Sequence, residues 1–156
     1  MLKIRKADAR DLRDLVDLGY GLTEHEFLCD PLIKKRSKKE SQKIYLKALK
    51  DSRSAFFLAS HDGASVGYIY GYIQKAPDYL LKHKYLGQLE AIFVSPKVRR
   101  TNVGKKLVKE LLKWFAEKKI KLIELSVAVA NGNSLKFWEN CGFSPHHVHM
   151  RKLLKK

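Results

Sequence analysis

The sequence predicts an α/β fold, more closely an α+β mixed sheet, with helices on both faces of the sheet. Three observations predict it: apolar runs with strand character, apolar residues at helical spacing, and the order of these segments along the chain. That order is β-α-α-β-β-β-α-β-α-β-β, and an early meander followed by βαβα units is typical of a mixed sheet, here of about six or seven strands. At 156 residues with 45% hydrophobic content, the chain is expected to form one domain over 1–156.

The first elements are a strand and two helical segments. Residues 2–7 alternate as a strand, and Asp8 then caps a helix, with Asp11 three residues further on. Residues 21–31 are interpreted as a polar and aromatic connector. The Lys-dense segment 33–51 looks helical in its second half.

A hairpin and a third strand follow. The runs 54–61 and 65–74 are strand-like, and the Asp-Gly pair between them is a strong hairpin signal. A variable loop at 75–84 then leads to a β run over 85–96, which Pro96 stops.

The second half contains the clearest helix, from 102 to about 118, whose apolar residues form one stripe. Residues 121–129 are almost continuously apolar and predict a strand buried on both faces. A short helix is expected over 131–143, with a glycine at its C′ position. Phe143 is expected to begin another strand, and 146–154 alternate as a closing strand.

Composition restricts the partners. The net charge of +16 comes from 32 Lys plus Arg against 16 Asp plus Glu, and such a field attracts nucleic acid, an anionic membrane surface or a phosphorylated cofactor. No apolar run approaches the roughly 20 residues that span a bilayer, and the N-terminus lacks the apolar region of a signal peptide. The two cysteines are no disulfide framework and no metal-ligand spacing is visible, so a cytoplasmic protein without a metal site is expected.

The start of the 102–118 helix carries charges of unexpected sign. Acidic side chains are favoured at a helix start because its unpaired N–H groups make that end positive. Here Arg99 and Arg100 precede the helix and Lys105 lies in its first turn. Gly104 leaves room for a phosphate to approach the backbone, although neither GxxxxGK[ST] nor GxGxxG is present. The pattern therefore predicts an anion site.

Two motifs resemble those of the GNAT acetyltransferase superfamily. After a strand that ends in Ser-Pro, the chain resembles that family's pyrophosphate loop, Gln/Arg-x-x-Gly-x-Gly/Ala, at Arg99, Arg100, Thr101, Asn102, Val103 and Gly104. Further on it resembles the family signature Asn-x-x-Ala-x-x-Phe-Tyr-x-x-x-Gly-Phe, at Asn131, Ser134, Phe137, Trp138, Gly142 and Phe143. With the order of elements, the resemblance covers nearly the whole chain.

The resemblance implies a central twisted sheet and acetyl-CoA as co-substrate, with the acetyl group passing to a primary amine by direct attack on the thioester. The loop from Arg99 to Lys105 would bind the coenzyme A diphosphate. Relatives separate two strands at a β-bulge and insert pantetheine between them, which assigns backbone contacts to Ile92, Phe93 and Val94. The helix with Asn131, Ser134, Phe137 and Trp138 would lie beside the pantetheine and thiol end.

Two positions depart from the family pattern. Asn102 replaces the first glycine of the loop, but Asn tolerates a positive φ better than most residues. Trp138 stands where many relatives have a Tyr that is thought to protonate the departing thiolate, and an indole N–H cannot transfer a proton at neutral pH. Thiols have pKa values near ~8.5, so a thiolate leaves with little help. Ser134, Cys141 or water are alternative proton sources.

Glu90 is the candidate catalytic base. It lies in an otherwise apolar strand just before the loop, where burial would raise its pKa and make it a better proton acceptor near neutral pH. An amine nucleophile is mostly protonated there and must first lose a proton. A solvated glutamate on the polar face of the strand is the alternative interpretation.

The acceptor is not specified by the sequence. Tyr68, Tyr70 and Tyr72 share one strand face and either line an acceptor pocket or pack as an aromatic face. The acids of the 21–31 connector, Glu24, Glu26 and Asp30, would attract a cationic amine or remain solvated. The basic run 34–39 would meet the cofactor's 3′-phosphate, an anionic acceptor or only solvent.

Two hypotheses remain at this level. The first is an N-acetyltransferase acting on a small-molecule or protein amine. The second is a basic module on the same scaffold that binds nucleic acid or a ribonucleoprotein with little or no catalysis. No membrane partner is expected, and the alternating C-terminal segment could pair across a homodimer.

Overall fold

The computed structural model describes residues 1–30, 32–77 and 82–154. They fall into two compact parts, Met1–Ser126 and Val127–Lys156, which are described in turn. The variable loop expected at 75–84 lies partly outside the described residues. Within the described residues, no helix has the length and apolar character needed to cross a membrane.

The first part is built on a five-stranded mixed sheet in the order β1-β2-β3-β4-β5. The strands are β1 Leu2–Lys6, β2 Ser54–His61, β3 Ala64–Lys75, β4 Tyr85–Val94 and β5 Ile123–Leu125. β1 to β4 are antiparallel neighbours, and β5 runs parallel to β4. The predicted mixed sheet is confirmed, with fewer strands than the expected six or seven.

Helices cover both faces of this sheet, as predicted. The helices of the first part are α1 Leu12–Cys29, α2 Lys38–Lys50 and α3 Val103–Glu117. Residues of α1 and α2 share a core with Tyr68 of β3, whereas α3 places Leu111 and Phe115 against Gly71 of the same strand. Because alternate residues of a strand face opposite sides, α3 lies on the other face.

Local signals are confirmed at two turns. Asp8 caps a 3-10 turn that leads into α1: its carboxylate accepts from the Arg10 N–H at 2.9 Å, and its own N–H donates to Asp11 at 2.9 Å. The hairpin between β2 and β3 turns at Asp62 and Gly63, both with positive φ (49° and 83°), as a type I′ turn requires.

The connector predicted over 21–31 was wrong, because α1 continues to Cys29. The helix passes through two glycines, and packing explains both. A Cβ on Gly19 would lie 2.3 Å from the Tyr45 hydroxyl, and one on Gly21 would lie 2.8 Å from the Phe93 ring. The helix uses glycine here because α2 and β4 approach it closely.

The strand predicted over 121–129 is much shorter than expected. β5 spans only Ile123–Leu125, and its residues are half-buried rather than buried on both faces. Its pairing with β4 ends at Leu89 and Leu125, so within the described part of the chain the apolar residues that follow are not paired with a strand. Apolar character alone does not make a strand without a hydrogen-bonding partner.

The second part contains α4, Gly132–Glu139. The Asn131 side chain caps it by accepting from the Ser134 N–H at 3.1 Å. Gly142 (φ 90°) ends it in a Schellman motif, in which the Phe143 N–H donates to the Trp138 carbonyl at 3.1 Å, as the C′ glycine predicted. The strands predicted from Phe143 and over 146–154 were wrong: the described residues 143–154 form no helix or strand.

Candidate active site

A β-bulge in β4 organises the candidate site. Tyr70 pairs with Ala91 and the next residue, Gly71, pairs with Leu89, so Glu90 is an extra residue without a partner on β3. β4 stays paired with β3 as far as Val94 but with β5 only as far as Leu89. Within the described residues, the edge of β4 from 90 to 94 that faces β5 is therefore open. The backbone of Ile92, Phe93 and Val94, predicted to contact pantetheine, belongs to this open edge.

The loop after β4 turns sharply into α3. Pro96–Val98 form one turn of 3-10 helix, and Arg100 and Asn102 then adopt left-handed conformations with φ 66° and 63°. Asn102 is the N-cap residue of α3, and the expectation that it tolerates this turn is confirmed. Thr101 stabilises the loop by donating its hydroxyl to the Val98 carbonyl at 2.6 Å.

Within the described residues, no acidic side chain neutralises the positive start of α3. No side chain caps it and no acidic residue lies in its first turn, whereas Lys105 does. The first N–H groups of a helix have no intrahelical acceptor, so those of Val103, Gly104 and Lys105 are free to bind an anion. Val103 is buried and Gly104 half-buried, while Lys105 is exposed.

Arg99 fixes the loop to the end of β4. Its Nε donates to the Val94 carbonyl at 3.1 Å, so the guanidinium is held beside the open strand edge. Arg99 and Arg100 are exposed. The structure thus brings all the predicted loop residues to one place, between the open edge and the uncapped helix start.

A cavity of about 250 Å³ lies on the α1 and α2 side of β4. The three tyrosines that share a face of β3 line it, although Tyr68 is fully buried in the core and Tyr70 stacks on Phe56 at a centroid distance of 4.2 Å, so both interpretations of this face hold in part. Its aromatic and charged lining residues include Tyr68, Tyr70, Tyr72, Glu26, Glu90 and Arg36. Sequence reasoning missed Tyr45 of α2, which also lines the cavity and hydrogen-bonds through its hydroxyl to Tyr68 at 3.1 Å. The i, i+4, i+7 spacing of Ser41, Tyr45 and Ala48 is the signal that could have found it.

Of the two carboxylates that line the cavity, Glu90 differs from the expectation. Glu90 lines the cavity but its side chain is exposed, so the predicted burial was wrong: the bulge turns this position away from the packed sheet. Desolvation raises the pKa of Glu26 above its usual range, the Arg36 charge opposes this rise, and the negative charge of Glu90 adds to it. Desolvation likewise raises the pKa of Tyr68 well above its usual range.

The other acids of the predicted connector do not line the cavity. Glu24 forms an ion pair with Lys35 at 3.4 Å. Asp30 follows the end of α1, where its carboxylate accepts from the Leu32 N–H at 3.1 Å.

The basic run 34–39 divides into paired and unpaired charges. Three of its lysines are held in ion pairs, Lys34 with Glu40, Lys35 with Glu24 and Lys38 with Asp17. Arg36 instead faces the cavity and forms no ion pair within the described residues. The run alone gave no reason to distinguish this residue from its neighbours.

The α4 residues predicted to contact the cofactor have structural contacts of their own. Asn131 and Ser134 form the helix cap, and Trp138 is 7% exposed, with its ring packed edge-on against Phe137 and Phe143 at centroid distances of 4.9 and 5.5 Å. Their contact with a cofactor stays a prediction. Among the described residues, no group of His, Cys, Asp and Glu could hold a metal ion.

Solved structures resemble this fold over almost its whole length. The aminoglycoside N-acetyltransferase AAC(6')-Iy in complex with CoA has a TM-score of 0.81 at 21% identity, covering 97% of this chain and 95% of that chain. A possible acetyltransferase from Clostridium difficile 630 has a TM-score of 0.78 at 16% identity, covering 100% and 99%. The aminoglycoside 6'-N-acetyltransferase AAC(6')-IG from Acinetobacter haemolyticus has a TM-score of 0.77 at 19% identity, covering 98% and 99%.

No curated protein matches the chain. A family model described as the acetyltransferase (GNAT) family matches residues 20–143, which is more than half of the sequence and includes the loop before α3 and all of α4. The chain therefore belongs to the GNAT acetyltransferase family.

Proposed function

We propose that the protein transfers an acetyl group from acetyl-CoA to the primary amine of a small molecule. One observation carries the proposal: at its bulge β4 borders a cavity that contains the carboxylates of Glu26 and Glu90, and directly beyond the bulge its open edge leads into an uncapped, cationic helix start. The first feature suits an amine and the second suits a diphosphate attached to an extended chain. A single strand thus connects the two substrates of the reaction.

The residues present fit coenzyme A. The amides of Val103, Gly104 and Lys105 lack intrahelical acceptors, and Arg99 and Arg100 add positive charge, as a diphosphate requires. The open edge at 92–94 offers N–H and carbonyl groups in the alternation that an amide-containing arm needs. When bound, acetyl-CoA supplies the acetyl group as a thioester with a good leaving group.

The chain's own contribution to the chemistry is to orient the amine and remove its proton. Glu90 lies where the cavity meets the open edge, and its exposed carboxylate accepts the proton directly or through water. Backbone N–H groups of the open edge polarise the thioester carbonyl. No side chain needs to carry the acetyl group, so the amine attacks directly.

The structural neighbours support a small acceptor. AAC(6')-Iy has been crystallised with the bisubstrate analogue CoA-S-monomethyl-acetylneamine, and its structure has a TM-score of 0.77 with this chain. The cavity beside Glu90 is of the size that accommodates a small molecule rather than a folded protein surface.

Thiol release from acetyl-CoA, measured against a panel of amines, tests the proposal. We expect Glu90→Gln to lower kcat by about 100-fold near neutral pH, with acetyl-CoA affinity unchanged, since general base catalysis contributes about that much. The deficit should shrink as the pH approaches the pKa of the amine, which then loses its proton without help. Glu117→Gln, the same charge change at an exposed position at the end of α3, is the control.

Two outcomes would contradict the proposal at different levels. Undiminished turnover of Glu90→Gln across the pH range would remove Glu90 from the mechanism. Absence of both acetyl-CoA binding and thiol release with every amine would overturn the function itself.

A further inference from the structure

The cavity beside Glu90 contains charges of both signs. Glu26 and Glu90 supply two carboxylates, and Arg36 supplies a guanidinium from the segment between α1 and α2. Within the described residues, none of these three side chains forms an ion pair or a hydrogen bond. Their charges do act on one another, because Arg36 opposes and Glu90 strengthens the rise in the pKa of Glu26.

The position of Arg36 differs from that of its neighbours in the same run. Lys35 and Lys38 are used in ion pairs with acids of α1, and Lys34, which also reaches the cavity, pairs with Glu40 of α2. Arg36 is the cation of this run that faces the cavity without such a partner. A guanidinium presents its donors in a planar fork that matches a carboxylate at two points.

The size and lining of the cavity restrict what this fork can bind. A volume of about 250 Å³ lies just below the ~300–1,000 Å³ that is typical of pockets for drug-sized molecules. The aromatic part of the lining comes from Tyr45, Tyr68, Tyr70 and Tyr72. Such a cavity suits an acceptor about as large as a single amino acid, with its amine toward Glu90 and an anion toward Arg36.

We infer that the acceptor is a small amine that also carries a carboxylate, as a free amino acid does, and that Arg36 binds this carboxylate while Glu90 and Glu26 bind the amine. The inference rests on the proposed N-acetyltransferase function and names the substrate class of the same site. It separates this chain from the structural neighbours named as aminoglycoside acetyltransferases, because a polycationic acceptor has no carboxylate to pair with the Arg36 guanidinium, which forms no ion pair within the described residues.

The test compares matched amines in the thiol-release assay. The probes are L-amino acids, the corresponding amino acid amides, ethanolamine with O-phosphoethanolamine, spermidine and neamine. Removing the carboxylate makes the neighbouring α-amine less basic and so more available as a nucleophile, which biases the comparison against the expected result. We expect kcat/KM for the preferred amino acid to exceed that of its amide by about tenfold or more, as loss of one charge-assisted contact implies.

Variants of Arg36 then test whether this residue causes the preference for the amino acid over its amide. Arg36→Gln should abolish the difference between acid and amide by lowering kcat/KM for the acid alone, and Arg36→Lys should restore part of it. Lys39→Gln removes the same charge three residues away, at an exposed position that does not line the cavity, and should leave the preference intact. This control separates a local contact from attraction by the overall charge of +16.

The outcomes distinguish this inference from the function on which it rests. Turnover of amides, spermidine or neamine at rates equal to or above those of the amino acids overturns the inference and leaves the acetyltransferase proposal standing. A preference for O-phosphoethanolamine, or an acid preference that survives Arg36→Gln, also overturns it. If no class of amine supports thiol release, both the inference and the acetyltransferase proposal are overturned.

Discussion

The starts of α2 and α3 differ in whether a side chain caps their first N–H groups. α2 begins with a complete capping box, in which Ser37 accepts from the Glu40 N–H and Glu40 accepts from the Ser37 N–H at 2.8 Å. α3 begins at Asn102 in a left-handed conformation, with no side-chain cap and no acid in its first turn. The start of α2 thus has side-chain acceptors for its N–H groups, whereas the first N–H groups of α3 have none.

The contrast teaches that a missing cap is informative when other starts in the same chain are capped. The turn before α1 and the start of α4 are capped by Asp8 and Asn131, so this sequence readily supplies capping residues. At α3 the uncapped amides coincide with an open strand edge and with cations in the preceding loop. In the proposed function, the stability that a cap would add at α3, about 1 kcal/mol, is given up where the diphosphate binds.

The largest expected effect comes from giving α3 the acid that it lacks. Gly104→Glu places a carboxylate at the second helical position and should weaken acetyl-CoA binding by about 100-fold or more through repulsion of the diphosphate. The free energy of unfolding should not fall, because an acid suits a helix start and glycine is a poor helix former. Calorimetric titration and urea unfolding measure the two effects.

Lys39→Glu is the matched control, since Lys39 occupies the second helical position of α2. It should leave acetyl-CoA affinity nearly unchanged. Wild-type affinity in Gly104→Glu would contradict the comparison. If the wild-type protein binds no acetyl-CoA but binds RNA with a steep salt dependence that Gly104→Glu does not alter, the nucleic-acid module is the better description.

A smaller effect is expected at the N-cap residues themselves. Asn102→Val forces a β-branched residue into a left-handed conformation and should cost about 1–2 kcal/mol of stability, together with affinity for acetyl-CoA. Asn102→Gly should preserve both. Ser37→Val at α2 should cost about 1 kcal/mol through loss of the cap and leave affinity unchanged. Equal effects of both Asn102 variants would show that the left-handed turn is not what the loop needs.

The smallest effect concerns pH. Hydrogen bonds from the backbone and hydroxyl of Ser37 lower the pKa of Glu40 from 4.5 to about 2. A lowered carboxylate pKa stabilises the folded state above the unfolded value and loses this contribution as the pH falls through the folded one. The difference in the free energy of unfolding between wild type and Glu40→Gln should therefore be constant above about pH 5. It should shrink as the pH falls from about 4.5 toward about 2. A difference that does not change with pH in urea unfolding would argue against the box.

The sequence correctly predicted the caps and turns that depend only on residues close together in the chain. The Asp8 cap, the Asp62-Gly63 turn, the C′ role of Gly142 and the left-handed turn at Asn102 each follow from local backbone preferences. The order of elements, together with the two family motifs, predicted the fold. The first of these motifs also located the loop of the candidate site.

What it could not supply depends on distant partners. The sequence did not show that α1 continues through 21–29, because the Tyr45 hydroxyl and the Phe93 ring that pack against Gly19 and Gly21 come from α2 and β4. The length of β5 depends on where its pairing with β4 ends. The exposure of Glu90 depends on the residue at which the bulge falls, and the resemblance implied a bulge without specifying that residue. Arg36 stood within a uniform basic run, and only the tertiary structure distinguishes it from the lysines.

The extra residue in β4 also reverses the phase of the strand. Before the bulge, odd-numbered Gly87 faces Phe115 of α3, but after it odd-numbered Phe93 packs against Gly21 of α1 on the opposite side. Ala91 likewise lines the cavity beside Glu90. Deletion of Glu90 would exchange inside for outside along the rest of β4, whereas its substitution would not. The position of Glu90 is therefore constrained by the sidedness of the sheet, independently of the chemistry of its side chain.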